Sequence, residues 1–157
     1  MTRTVWRITT ARFTATAFSG EGARLYGGRW NPKGFDFVYT AESRSLALLE
    51  MLVQDDAVRA RYVLIPVQIP STVSMTVLEV VDLPTDWRSL ASRDALQAMG
   101  RAWLEKARSA VLAVPSAVVS QERNYLINPK HPHFARMSVG EPQSLQTDLR
   151  LMRNLLG

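Results

Sequence analysis

The sequence predicts an α+β domain. Three observations carry that prediction: segments whose apolar residues alternate or run as β-branched strings, two stretches with helical periodicity, and an order of these without strict strand–helix–strand alternation. With 157 residues and no internal repeat, low-complexity tract or long linker, residues 1–157 read as one domain large enough to bury a substantial core.

"TVWRIT" (4–9) alternates at period two and reads as an edge or half-buried strand. "NPKG" (31–34) has the Asn, Pro and Gly positions of a β-turn, and "FDFVYTA" after it reads as a strand. "ESRSLALLEMLVQ" (42–54) is helical. "RYVLIPVQIP" (61–70) is a strand closed by Pro70, and "SMTVLEVV" (74–81) is another. In "SRDALQAMGRAWLEKAR" (92–108) Ser92 is a plausible N-cap. Ala95, Leu96, Met99, Ala102 and Trp103 share one face of that helix, and Arg93, Gln97, Arg101 and Arg108 the other. "AVLAVPSAVVS" (110–120) reads as two strands interrupted by proline, and "NYLINPKHPHFARMSV" as a turn at Asn128-Pro129 with a further strand. The tail "TDLRLMRNLL" reads as a short helix.

An apolar share of 46% and a charged share of 21% are those of an ordinary globular chain, and no apolar run nears the roughly 20 residues of a membrane span. The N-terminus has no long hydrophobic region of the signal-peptide kind, so the expectation is a cytoplasmic protein. The absence of cysteine excludes disulfides and thiol catalysis. A net charge of +5 makes anionic partners worth considering. The basic residues are scattered, however, and no helix-turn-helix is evident. A nucleic-acid-binding module is therefore the distant alternative, and direct nucleic-acid binding is not expected.

In the helix at 42–54, Leu46, Ala47, Leu48, Leu49, Met51, Leu52 and Val53 cover nearly the whole circumference, which predicts a buried helix. Glu50 is then carried into a protected environment, where a carboxylate must be paired, protonated or used. One reading is a structural ion pair with an arginine; the other is a functional carboxylate. Arg29 also has two readings. If 31–34 closes a regular hairpin, Arg29 faces Asp36 as a cross-strand pair, and Tyr39 faces Tyr26 on the opposite side. A site shared by Arg29 and Tyr39 needs an irregular hairpin, which Gly27-Gly28 would permit. Ser116, after Pro115, reads by itself as a turn serine. His131 and His133 lack the cysteines or acidic cluster of a metal site, and no metal is expected. There is no phosphate-binding loop, dinucleotide glycine fingerprint or zinc-protease motif.

In order, "YGGRWNPKG", "VYTAESRSLALLEML" and "VPSAVVSQERNYLINPKHPHF" resemble the RES-domain family, toxins of bacterial toxin–antitoxin pairs named for an arginine, a glutamate and a serine. The resemblance runs from about residue 20 to the Asp148–Arg150 tail. It places the family's arginine on Arg29, its tyrosine on Tyr39, its glutamate on Glu50, its serine on Ser116 and its asparagine on Asn124. It implies a fold like that of ADP-ribosyltransferase toxins, NAD⁺ as substrate, and an Xre-type helix-turn-helix antitoxin as partner. It implies either degradation of NAD⁺ with release of nicotinamide or, as the alternative, transfer of ADP-ribose to a host protein. Glu50 would then stabilise the cation formed at the ribose and Arg29 would bind the pyrophosphate. Tyr39 would stack on nicotinamide, and Ser116 and Asn124 would hydrogen-bond its amide or the phosphates.

Overall fold

The computed structural model describes residues 1–54 and 61–146. The expected mixture of strands and helices is present, built on an eight-stranded mixed sheet. In chain order the elements are β1 (Thr2–Thr10), α1 (Glu21–Tyr26), β2 (Val38–Ala41), α2 (Arg44–Leu52), β3 (Tyr62–Pro70) and β4 (Met75–Val77), then α3 (Arg93–Lys106), β5 (Val111–Pro115), β6 (Arg123–Ile127), β7 (Ser138–Val139) and β8 (Gln143–Leu145). The sheet runs β4-β5-β6-β2-β1-β3-β7, with β8 also on β3. All pairs are antiparallel except β4 with β5, which α3 connects. No helix among the described residues is long and apolar enough to cross a membrane.

β1 is an interior strand rather than an edge. Its nine residues pair with β3 from Thr2–Pro70 to Thr10–Tyr62, but it meets β2 only at Trp6–Ala41. Where the two strands diverge, the Arg7 side chain donates to the carbonyls of Tyr39 (3.3 Å) and Ala17 (3.0 Å). Burial pulls its guanidinium down to about 10.

Strand alternation gives the sheet two different faces. Val38 and Thr40 on β2, Tyr125 and Ile127 on β6, and Val111 and Ala113 on β5 point one way; most of them join Val5, Val67 and Ile69 in one cluster. Tyr39, Asn124, Leu126, Leu112 and Val114 point the other way, beneath α3, with Trp30, Phe37, Leu96 and Trp103. On that same face Ala41 packs against Leu46 and Ala47 of α2. The sheet surface between α2 and α3 is where the polar residues of interest converge.

Several expectations change. α2 begins as its sequence suggests, with the Ser43 hydroxyl accepting from the Leu46 N–H at 3.0 Å. It is not buried all round: Leu46, Ala47 and Met51 are enclosed, whereas Leu49 and Val53 are 38% and 65% exposed. Glu50 owes its environment to being one turn beyond Leu46, on the sheet-facing side. The 31–34 segment does turn, but no hairpin follows, because residues 21–26 form α1 and β2 pairs with β1 and β6. Asp36 is held by Arg24 (3.1 Å) and Lys130 (2.9 Å), not by Arg29. Only 38–41 of the 35–41 strand and 75–77 of the 74–81 strand are extended ladders. Residues 116–120 turn instead of forming a second strand. Ser92 is the N-cap residue of α3, yet its hydroxyl goes to Asp86 at 2.7 Å. On α3, Ala95 is exposed and Gln97 is half-buried, the reverse of the amphipathic reading. The tail helix proposed for 147–156 lies outside the described residues.

The reversal on α3 has a steric cause. A Cβ built on Gly100 would lie 1.8 Å from the Trp30 carbonyl oxygen, so helix and loop backbone touch directly there. Gly100→Ala must push α3 off the loop and is expected to cost about 3 kcal/mol. The measurement is a urea titration in which the midpoint falls while the slope is unchanged.

Candidate active site

Glu50 is half-buried, and its Oε1 accepts two hydrogen bonds, from the Ser116 hydroxyl (2.6 Å) and the Asn124 amide (2.9 Å). Asn124 comes from β6, opposite Ala41, and its side chain points to the α2 side of the sheet. Ser116 follows β5 and is fully buried. Its Oγ accepts from the N–H groups of Val118 (3.0 Å) and Val119 (3.1 Å). With both acceptor positions filled, its single proton goes to Glu50. The turn-serine reading holds, and the same hydroxyl orients the Glu50 carboxylate. Among the described residues Oε2 accepts no hydrogen bond and no cation forms an ion pair with Glu50. The structural ion pair is not formed.

Arg29 lies on a loop tied at each residue. Gly28 donates to the Asn31 carbonyl (2.9 Å), and its own carbonyl accepts from Gln97 of α3 (2.8 Å). The Tyr39 hydroxyl accepts from the Trp30 N–H (3.2 Å) and donates to Asn31 Oδ1 (2.5 Å). Asn31 is fully buried, and its amide nitrogen donates to the carbonyls of Ala23 (2.8 Å) and Pro32 (3.1 Å). Only glycine fits at 28, because a Cβ there would come within 2.6 Å of the Tyr39 hydroxyl. Arg29 Nη1 reaches the carbonyls of Trp87 and Arg88, both at 3.3 Å, leaving Nε and Nη2 without a partner among the described residues.

The electrostatics join these parts. Burial first, then the charges of Arg93 and Arg88, pull Arg29 below the usual guanidinium value, while Glu50 and Tyr39 oppose them. Glu50 is therefore within electrostatic reach of Arg29 without contacting it. Burial raises the Tyr39 phenol above its ordinary value, so it remains a neutral donor. Tyr39 is joined to the loop that carries Arg29 through its hydroxyl rather than across a hairpin. Its ring lies 6.3 Å from that of Phe37, and its hydroxyl is engaged by the loop.

His131 and His133 stack edge to face at 4.9 Å, and His133 Nδ1 accepts from the Ser74 N–H at 3.0 Å. His131 caps the 132–136 turn that contains His133, and Phe134 of that turn packs on the opposite face of the sheet. The residues that sequence reasoning missed are Asn31, Gln97 and Gly100, which hold the loop. Gln97 and Gly100 are three apart on one helix face, a spacing obscured by assigning Gln97 to solvent.

A carboxylate steadied by neutral donors at a sheet surface and an arginine on a braced loop thus lie within electrostatic reach of each other. The chain belongs to the RES family: the RES domain pattern matches residues 4–148. With that family comes the ADP-ribosyltransferase-like fold expected from the sequence. A protein of Yersinia enterocolitica named Toxin Res is 39% identical over 150 residues, covering 94% of this chain and 98% of its own. The Prs ADP-ribosylating toxin of a Sphingobium strain is 36% identical over 159 residues, 98% of this chain and 99% of its own. The NAD(+) phosphorylase MbcT of Mycobacterium bovis is 37% identical over 86 residues, 51% of this chain and 46% of its own.

The Tyr39 hydroxyl is the keystone of the loop, and its removal has a defined cost. Tyr39→Phe leaves the Trp30 N–H and Asn31 Oδ1 unpaired, which is expected to lose about 1–3 kcal/mol of stability. Hydrogen exchange at the Trp30 amide should accelerate in the variant, while amides in the β1–β3 ladder should change only with global stability.

Proposed function

We propose that this chain is the toxin of a toxin–antitoxin pair and that it cleaves the nicotinamide–ribose bond of NAD⁺. The observation that carries the reading is Glu50, pinned through Oε1 by Ser116 and Asn124 with Oε2 unengaged. The positively charged nicotinamide takes the bonding electron pair and leaves as a neutral molecule, so no general acid is needed. The positive charge passes to the ribose as an oxocarbenium ion. Two carboxylates serve ordinary glycosidases because one protonates the leaving group; here one suffices. Oε2 of Glu50 binds the ribose hydroxyls and stabilises the cation, and its fixed orientation avoids reorganisation during reaction. The unengaged Nε and Nη2 edge of Arg29 suits a bidentate bond to the pyrophosphate. Ser116 and Asn124 act by orienting Glu50, and Tyr39 by holding the loop and offering its ring to nicotinamide. No metal enters these steps.

Water or inorganic phosphate then takes the ADP-ribosyl group; the phosphorylase name of the mycobacterial relative supports the latter. A second reading, transfer to a host protein, is supported by the name of the Sphingobium relative, which aligns over nearly its whole length. Both share every step to the cation. An Xre-type antitoxin is the partner that restrains the enzyme. Incubation with NAD⁺, with and without phosphate or lysate proteins, tests the reading by following free nicotinamide, the phosphorylated or hydrolysed ADP-ribose product, and protein mass. No nicotinamide under any condition overturns it.

Glu50→Gln should fold normally, because the glutamine oxygen can still accept from Ser116 and Asn124. Its turnover should fall at least about a hundredfold. Melting and turnover on the same sample check this; a stable, fully active variant sinks the role of Glu50. Arg29→Lys keeps the charge but cannot reproduce a two-point contact. Its KM for NAD⁺ should rise about tenfold or more, and an unchanged KM would exclude pyrophosphate binding by Arg29.

A further inference from the structure

The stripe Arg93–Gln97–Gly100 occupies one face of α3 at spacings of four and three residues. Two of its members touch the Arg29 loop: Gln97 bonds the Gly28 carbonyl at 2.8 Å, and Gly100 lies directly against the Trp30 carbonyl. Arg93 is the third, one turn nearer the start of the helix. The segment leading into α3 closes on the same guanidinium, since Arg29 Nη1 donates to the carbonyls of Trp87 and Arg88. Arg88, whose guanidinium lies over the Trp87 ring at 5.6 Å, and Arg93 stand at the two ends of this segment. Asp86 directs its carboxylate to the hydroxyls of Ser92 (2.7 Å) and Ser89 (3.2 Å). Among the described residues, none of the ion pairs includes Arg29, Arg88 or Arg93. Arg93 acts on both Arg29 and Tyr39 at electrostatic range.

Glu50 offsets the charge of Arg29 only at a distance, and arginines gathered without an ion pair among the described residues repel in the empty site and are relieved when an anion arrives. One arginine suffices for a single phosphate, and Arg29 has a free edge for it. We propose that Arg93 binds the second phosphate of a dinucleotide, the one remote from the bond that breaks, and so makes the site selective for a pyrophosphate over a single phosphate. This rests on the NAD⁺ reading of the site. Arg29 lies within reach of Glu50 and takes the phosphate of the reacting ribose; Arg93, exposed at the first turn of α3, takes the outer one. The contribution is to binding, not to the chemical step.

The test compares the wild type with Arg93→Ala and Arg93→Lys, using Asp94→Ala as a control on the same turn. Arg93→Ala should raise the KM for NAD⁺ by roughly tenfold to a hundredfold while kcat stays within about twofold. Calorimetry should show ADP-ribose binding weakened by the same factor, with partial recovery in Arg93→Lys. Nicotinamide mononucleotide, which has a single phosphate, should bind the wild type and Arg93→Ala equally. An unchanged KM and ADP-ribose affinity overturns the proposal, as does an equal loss for the mononucleotide. If Arg93→Ala does not fold, the same comparison is made with Arg93→Gln. If the wild type releases no nicotinamide, the NAD⁺ reading fails, and the ADP-ribose titration alone decides for or against Arg93.

Discussion

A carboxylate taken partly out of water in a basic protein would ordinarily be captured by an arginine. Here Glu50 is held by a serine hydroxyl and an asparagine amide. Neutral donors fix the direction of a charge without cancelling it, so the negative potential at Oε2 is retained. The rest of the site answers to that requirement. Ser116 can give its proton to Glu50 because the turn after β5 supplies two backbone N–H groups to its lone pairs. Asn124 can reach Glu50 because β6 pairs with β2 in a register that puts residue 124 opposite Ala41, the residue against which α2 packs.

The arginine half of the site is organised differently. Residues 27–31 belong to no helix or strand themselves, and the loop is assembled from hydrogen bonds to side chains and from two close approaches at glycines. Tyr39 connects it to β2, Gln97 and Gly100 to α3. Because β2 also fixes β6 and hence Asn124, a single strand of four residues relates the two opposite charges.

Much of this was legible in the sequence where local pattern and tertiary packing agree. The strand at 61–70 and the helix at 92–108 follow from β-branched runs and from helical spacing, and Ser43 stops the backbone where α2 starts. Legibility failed where a contact between distant segments decided the outcome. Residues 21–26 form a six-residue helix with no buried side chain, so no periodicity could announce it. Residues 116–120 carry the alanine and valines of a strand, but the demands of one hydroxyl turn them away from the sheet. Gln97 looked solvent-facing because its partner is a backbone carbonyl 69 residues earlier. For the site, Glu50 and Arg29 stood out as charges in unusual company, whereas Ser116 and Asn124 were marked by family resemblance; no local pattern could tell that both would converge on one oxygen atom.

The order of the chain gives the Glu50 contacts a temporal meaning. The two donors that orient the carboxylate lie 66 and 74 residues further along. During synthesis Glu50 therefore leaves the ribosome well before either donor exists, and β2 waits longer still for β6. At about 5–20 residues per second, the 74-residue interval is roughly 4 to 15 s. Over that interval the nascent polypeptide holds Arg29 and Glu50 without the two donors that orient the carboxylate. The arrangement is completed only when the greater part of the chain has emerged, so the orientation of this one carboxylate reports on the folding of nearly the whole sheet.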